Sequence, residues 1–228
     1  MAQTQSINDT YITFQKILRK NQQGYASPSD FNKFINQAQL SYFNDLRGAK
    51  SNQYGQLTPI AIKGYERTKY LMETLSPFVL VDQPLTITNG AANKPNNLCE
   101  TLALNSAQAI EGIKSIPADR WAAYKNSLID TPTTEYPIYK ESSSTFIFLP
   151  ATGITSPTIT YLKYPVEAVW GYTNVGGRPT YNAGTSTDLE WDETQIGNII
   201  MIAISLMGIS IKDQQLVNYA EQQRVIGN

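Results

Sequence analysis

Four carboxylates crowd one stretch of this 228-residue chain: Asp188, Glu190, Asp192 and Glu193, within "DLEWDE". A hard cation wants oxygen donors at that density, but the spacing lacks the glycine and the distal glutamate of a calcium loop. The four residues also precede an apolar run, and carboxylates at a helix N-terminus are favourable through the dipole alone. A glycosidase needs two carboxylates set apart across a sugar, and nothing here selects a pair. Tyr65 and Lys69 stand four apart, a spacing some dehydrogenases use for proton transfer, yet no glycine-rich loop follows a strand to hold a dinucleotide. The sequence has neither a phosphate-binding Gly-Lys-Ser/Thr loop nor a Gly-x-Ser-x-Gly elbow. Histidine is absent, which closes the main routes to acid–base work near neutral pH and to Ser-His or Cys-His nucleophiles. The one cysteine, Cys99, excludes an intrachain disulfide and reads as a small buried hydrophobe. Trp121, Trp170 and Trp191, with 14 tyrosines, could stack on sugars or bases. A nucleic-acid platform sets such rings in a basic groove, whereas 18 basic and 19 acidic residues leave a net charge of −1. No catalytic, cofactor or metal-ligating residue is expected, and the chain reads as a non-enzyme.

The elements that must carry these residues follow a helix–strand–helix order. "SINDTYITFQKILRKN" suggests a first helix capped by Ser6 or Asn8, with Ile12, Ile17 and Leu18 toward the core. Lys16, Arg19 and Lys20 near its end complement the dipole, with a phosphate contact as the alternative. "SPSDFNKFINQAQLSYFNDLRG" is the clearest helix: Ser27 and Asp30 have capping-box spacing, and Pro28 sits in the first turn. Phe31, Phe34, Ile35, Ala38, Tyr42 and Leu46 form its apolar stripe, and Gly48 is placed to end it. A third helix is expected from Thr58-Pro59 to Ser76-Pro77.

From residue 78 the pattern turns β-rich. "FVLVDQPLTIT" precedes an Asn89-Gly90 turn, and "NNLCETLALNS" is ambiguous between strand and helix. "IPADRWAAYKNSL" fits a short helix begun by Pro117, and "YPIYK" is a further β-rich run. "TFIFL" and "TITYLKY" alternate and are expected to pair through "PATGITSP". Residues 171–187 read as a long loop or hairpin tip around Gly176-Gly177.

The apolar run "QIGNIIMIAISLMGISI" (residues 195–211) covers about 24 Å as a helix, short of the ~20 apolar residues that cross a bilayer. Thr194, Asn198, Met201 and Ser205 form its one narrow polar stripe, so it is expected to be enclosed by protein. Ser210 and Asp213 have capping-box spacing for a last helix. No secretory signal is read in "MAQTQSINDT". The expected fold is α+β: a helical bundle from residues 1–77 and 193–228, with a β-rich insertion over 78–192 that carries the long loop. Only 16% of residues are charged, so a polar, weakly charged surface is expected, one that other chains can cover at low desolvation cost.

"SPSDFNKFINQAQLSYFNDLRG" also resembles the second helix of head-to-tail connector (neck ring, adaptor) proteins of tailed bacteriophages, especially crAss-like phages. The succession "PTTEYPIYKESSSTFIFLP" and "SPTITYLKYP", and the closing "DLEWDETQIGNIIMIAISLMGISIKDQQLVNYAE", resemble the same plan. The likeness spans most of the chain and is one of pattern, without an invariant catalytic motif. It implies a homo-oligomeric, dodecameric ring in the virion neck, assembled in the host cytoplasm. Such a ring stacks on the portal protein and on adjacent neck and tail rings, and extends the DNA channel without sequence-specific binding, enzymatic activity or membrane contact. Its helical bundle would lie between subunits, with Ile199, Ile200 and Met207 as inter-subunit contacts. The termini and the 171–187 loop would clasp a neighbour, with Tyr172, Arg178 and Tyr181 as contact residues. Two other readings compete: a carbohydrate-binding or adhesion module using Trp170 and Tyr172, and a hydrolase using carboxylates near 188–193.

Overall fold

The computed structural model describes residues 5–20, 25–47, 72–127, 129, 131–210 and 222. The fold is α+β, and its contacts divide the chain into two compact units: residues 1–77 with 165–228, and residues 78–164. The expected third helix is described only in its last turn, at residues 72–75. Tyr65, Lys69, Gly48 and Asp213 lie outside the described residues, as does the expected last helix apart from Gln222.

In the first unit, helix α1 (Ile7–Lys20) begins where Ser6 accepts a hydrogen bond from the Asp9 backbone N–H (3.1 Å) and donates to the Asp9 carboxylate (2.8 Å). Its buried face is Ile7, Tyr11, Phe14 and Leu18, at intervals of four, three and four. Leu18 is in the core as expected. Ile12 is 40% exposed, because it follows Tyr11 by one residue and so lies about 100° around the helix from that face. Helix α2 (Pro28–Leu46) has the expected cap, with Ser27 accepting from the Asp30 N–H at 3.2 Å. Phe31, Ile35, Ala38 and Phe43 are buried, while Phe34, Tyr42 and Leu46 are half-buried at the flanks of the stripe.

The second unit holds two sheets around one core. The first sheet, in order β1–β7–β3, pairs Val79–Pro84, Thr158–Lys163 and Leu98–Asn105, all antiparallel. The second, β2–β6–β5–β4, pairs Ala91–Asn93, Thr145–Leu149, Ile138–Glu141 and Lys114–Ser115, with only β4 parallel to its neighbour. Tyr139, Phe146 and Phe148 from the second sheet meet Leu104, Ile159 and Tyr161 from the first. The alternate residues Ile138, Ile147 and Leu149 face the other way, onto Trp121 of the short helix α3 (Trp121–Lys125). The expected pairing of "TFIFL" with "TITYLKY" is not made. β6 pairs with β2 and β5, β7 with β1 and β3, and the connection carries the chain from one sheet to the other. Asn89 and Gly90 do form the turn, both with positive φ, as a two-residue hairpin turn of the primed type requires.

The insertion ends earlier than the 192 expected from composition: residues from Pro165 onward group with the helices. They include a two-stranded ribbon, β8 (Tyr172–Val175) and β9 (Arg178–Tyr181), turned by Gly176 and Gly177 at φ +57 and +78. Helix α4 (Glu193–Ser210) follows and packs chiefly on α2 and also on α1. Among the described residues no helix is long and apolar enough to cross a membrane.

Candidate functional site

The ribbon and its root form the most distinctive surface feature of the first unit. From Tyr172 to Thr180 only Pro179 is half-buried, and the rest are exposed. Directly opposed residues share a face, so Tyr172, Asn174, Pro179 and Tyr181 lie on one side and Thr173, Val175, Arg178 and Thr180 on the other. Pro179, which has no N–H to give, is paired with Asn174 one step beyond the hydrogen-bonded Val175–Arg178 pair that closes a two-residue turn.

Tyr172 and Tyr181, expected as contacts with a neighbour, also have a partner inside the chain, since each ring centroid lies 5.9 Å from that of Trp170. Trp170 is buried, stacks on Tyr11 at 4.3 Å and donates its indole N–H to Asn8 (3.2 Å). Tyr11 in turn meets Phe31 edge to face at 5.0 Å and donates its hydroxyl to the Ala26 carbonyl (3.2 Å). Burial, together with the hydrogen bond to Tyr25, pushes the Tyr11 phenol well above the ordinary tyrosine range. Arg178 lies exposed beside the turn. The ribbon therefore has a packed aromatic root and an open tip.

Below the root, residues 166–170 run extended along α2 and hydrogen-bond to its side-chain amides. Asn36 accepts from the Ala168 N–H and donates to the Ala168 carbonyl, both at 2.8 Å. Asn32 does the same for Trp170, accepting at 2.8 Å and donating at 3.3 Å, and Gln39 donates to the Val166 carbonyl at 3.0 Å. Gln15 repeats the device on the Ala26 backbone. Some of the uncharged polar side chains are therefore spent internally rather than on the weakly charged surface. Sequence reasoning missed these residues; the signal was the spacing Asn32, Asn36, Gln39 along one side of the apolar stripe.

The acidic group is dispersed over three backbone duties. Asp188 accepts from the Ile7 N–H at the start of α1 (2.7 Å), Glu190 from the Val166 N–H (3.1 Å), and Asp192 from the Glu193 N–H (2.8 Å) as α4 begins. Among the described residues no three His, Cys, Asp or Glu side chains gather around a common point that could hold a metal ion. Trp121, Trp170 and Trp191 are all buried, so none offers an open face for stacking on a sugar or base. Cys99, expected to be buried, is half-buried. It lines an open cleft of about 520 Å³ in the second unit with Asn93, Lys94, Glu100, Thr101 and Glu141. There Lys94 pairs with Glu141 at 2.8 Å and lies 5.2 Å from the Phe146 ring centre.

Ile199, Ile200 and Met207, expected between subunits, are 0, 3 and 8% exposed within the single chain. The surface they were to offer a neighbour is covered by the chain's own helices. The polar stripe of α4 lies where the sequence puts it: Thr194 is exposed, and Asn198, Met201 and Ser205 are half-exposed. Compared with protein-family models and with curated proteins, the chain finds no match.

Proposed function

We propose that this chain is a structural, non-enzymatic subunit of the head-to-tail connector of a tailed bacteriophage. Copies assemble into a dodecameric ring in the virion neck, stacked on the portal and on adjacent neck and tail rings, and the ring extends the DNA channel. In this reading the helices from both ends of the chain form one bundle that carries the β unit. The resemblance of the α2, β-unit and α4 segments to connector proteins supports it, and a net charge of −1 suits a channel through which DNA slides without being gripped.

The observation that carries the reading is the ribbon at Tyr172–Tyr181. A two-stranded hairpin is marginal in water by itself, and this one leaves Val175 63% exposed beside Thr173, Arg178 and Thr180. A surface of that kind is suited to meeting another chain. Because α4 is covered internally, contacts between copies are assigned to the ribbon rather than to Ile199, Ile200 and Met207.

The test is electron microscopy and sedimentation of the purified protein, alone and mixed with a portal ring. Discrete rings, or monomers that assemble on the portal, are expected, and the double change Val175→Asp with Arg178→Asp should abolish assembly while leaving the circular dichroism spectrum unchanged. A protein that stays monomeric and ignores portal and neighbouring rings would refute the proposal.

A further inference from the structure

An α-helix and an extended chain have different repeats, yet they come into step between α2 and residues 166–170. Four helical residues rise about 6.0 Å and two strand residues about 6.6 Å, so Asn32 and Asn36 meet Trp170 and Ala168 with little mismatch. The next step along the helix is three residues, about 4.5 Å, and falls short of the next strand repeat. There the chain uses Gln39, one methylene longer, to reach Val166. Each asparagine presents one acceptor and one donor to the same residue's N–H and carbonyl, as a neighbouring strand would. The amides are also braced from behind: Asn36 donates to the Asn32 carbonyl (2.7 Å), and Gln39 donates to the Asn36 side chain (2.7 Å).

The opposite edge of the same segment is paired too. Val169 exchanges both backbone hydrogen bonds with Thr187, at 3.0 and 2.8 Å. Residues 168–170 thus lie as a central strand between a real strand position and a row of side chains. Directly beyond them, Gly171 donates to the Ser186 hydroxyl (3.0 Å) and accepts from the Asn182 N–H (2.9 Å), which closes the base of the ribbon.

We infer that Asn32, Asn36 and Gln39 are positioning residues: the amide face of α2 stands in for a β-strand, and the order of the β8–β9 ribbon depends on it. The ribbon has no core of its own beyond the Trp170 ring, so its strands stay paired only while their base is held. This holds whatever the ribbon meets, and does not rest on the connector reading.

Hydrogen exchange on the full chain tests it. Asn36→Leu removes two hydrogen bonds to Ala168 and leaves that residue's N–H and carbonyl without a partner. Protection at Thr173 and Thr180, out on the ribbon, should fall by about tenfold or more, while the exposed neighbour Gln37→Leu changes nothing there. If Asn36→Leu exposes only Ala168 and Trp170 and leaves Thr173 and Thr180 protected, the ribbon orders itself and the inference is overturned. Should that variant fail to fold, Asn36→Asp serves. Its ionised carboxylate opposes the Ala168 carbonyl, whereas the protonated acid can donate to it. Ribbon protection factors should recover as the pH falls through the carboxyl titration, and a protection that does not follow that titration overturns the inference equally.

Discussion

Gly171 shows how one missing side chain can set the base of the ribbon. A Cβ there would lie 2.6 Å from the Thr185 carbonyl carbon, which is backbone and cannot swing away. Gly171→Ala should therefore lower unfolding stability by roughly 1–3 kcal/mol, the range for forced overpacking. Gly197, exposed in α4 with open space where a methyl group would point, predicts the opposite: Gly197→Ala should stabilise by roughly 0.5–1 kcal/mol. Denaturant midpoints of the two variants check both signs. Tyr11 gives a pH signature. Its phenol is held protonated by burial beyond the point, near 10, at which an unfolded chain's tyrosines ionise. A raised folded-state pKa contributes stability fully below the unfolded value and loses it as the pH climbs toward the folded one. Stability should thus fall above about pH 10, and less steeply in Tyr11→Phe, as measured by denaturation at several alkaline pH values. At this scale the local devices are legible in the sequence: Ser27 with Asp30 needs only three residues to be recognised. Asn32 and Asn36 leave only their spacing as a trace, because their partners lie 138 and 132 residues away and a backbone amide has no sequence signature.

At the scale of elements, periodicity announces α1, α2 and α4 but leaves open what each packs against. The run at 195–211 reads as a helix enclosed on nearly every side, and within its described part α4 has that burial pattern. That the enclosing protein belongs to the same chain cannot be read from an apolar pattern, which is identical for a core and for an interface. The distinction has a measurable consequence. Ile199→Ala should cost roughly 2–5 kcal/mol, as for a fully buried large-to-small change, and the loss should be the same at every protein concentration. A midpoint that shifts with dilution would restore Ile199 to an interface between copies. The strands show the same division. Alternation identifies β6 and β7, with Phe146, Phe148, Ile159 and Tyr161 inward. It does not tell a hairpin from a crossing between sheets, since both leave one face of each strand buried.

For the whole molecule, the division at Pro77 and Pro165 has a geometric basis. Val79 is paired with Leu162 across β1 and β7, so the strands that open and close the β unit run side by side, about 5 Å apart as in any antiparallel pair. A unit entered and left at one point can be inserted into a host without disturbing its own core. That core draws on both sheets, and α3 covers the outer face of the second with Trp121. Composition places the end of the unit later because the ribbon is itself β-rich, whereas contacts assign the ribbon to the helices through Trp170 and the amides of α2. Residues 78–164 expressed alone should therefore give dispersed amide resonances and a single cooperative thermal transition, since many domains of about two-thirds that length fold unaided. An unfolded or molten fragment would mean that the two sheets need the helical unit to close their core, and the chain would then have to be treated as one cooperative body rather than as a host carrying an insertion.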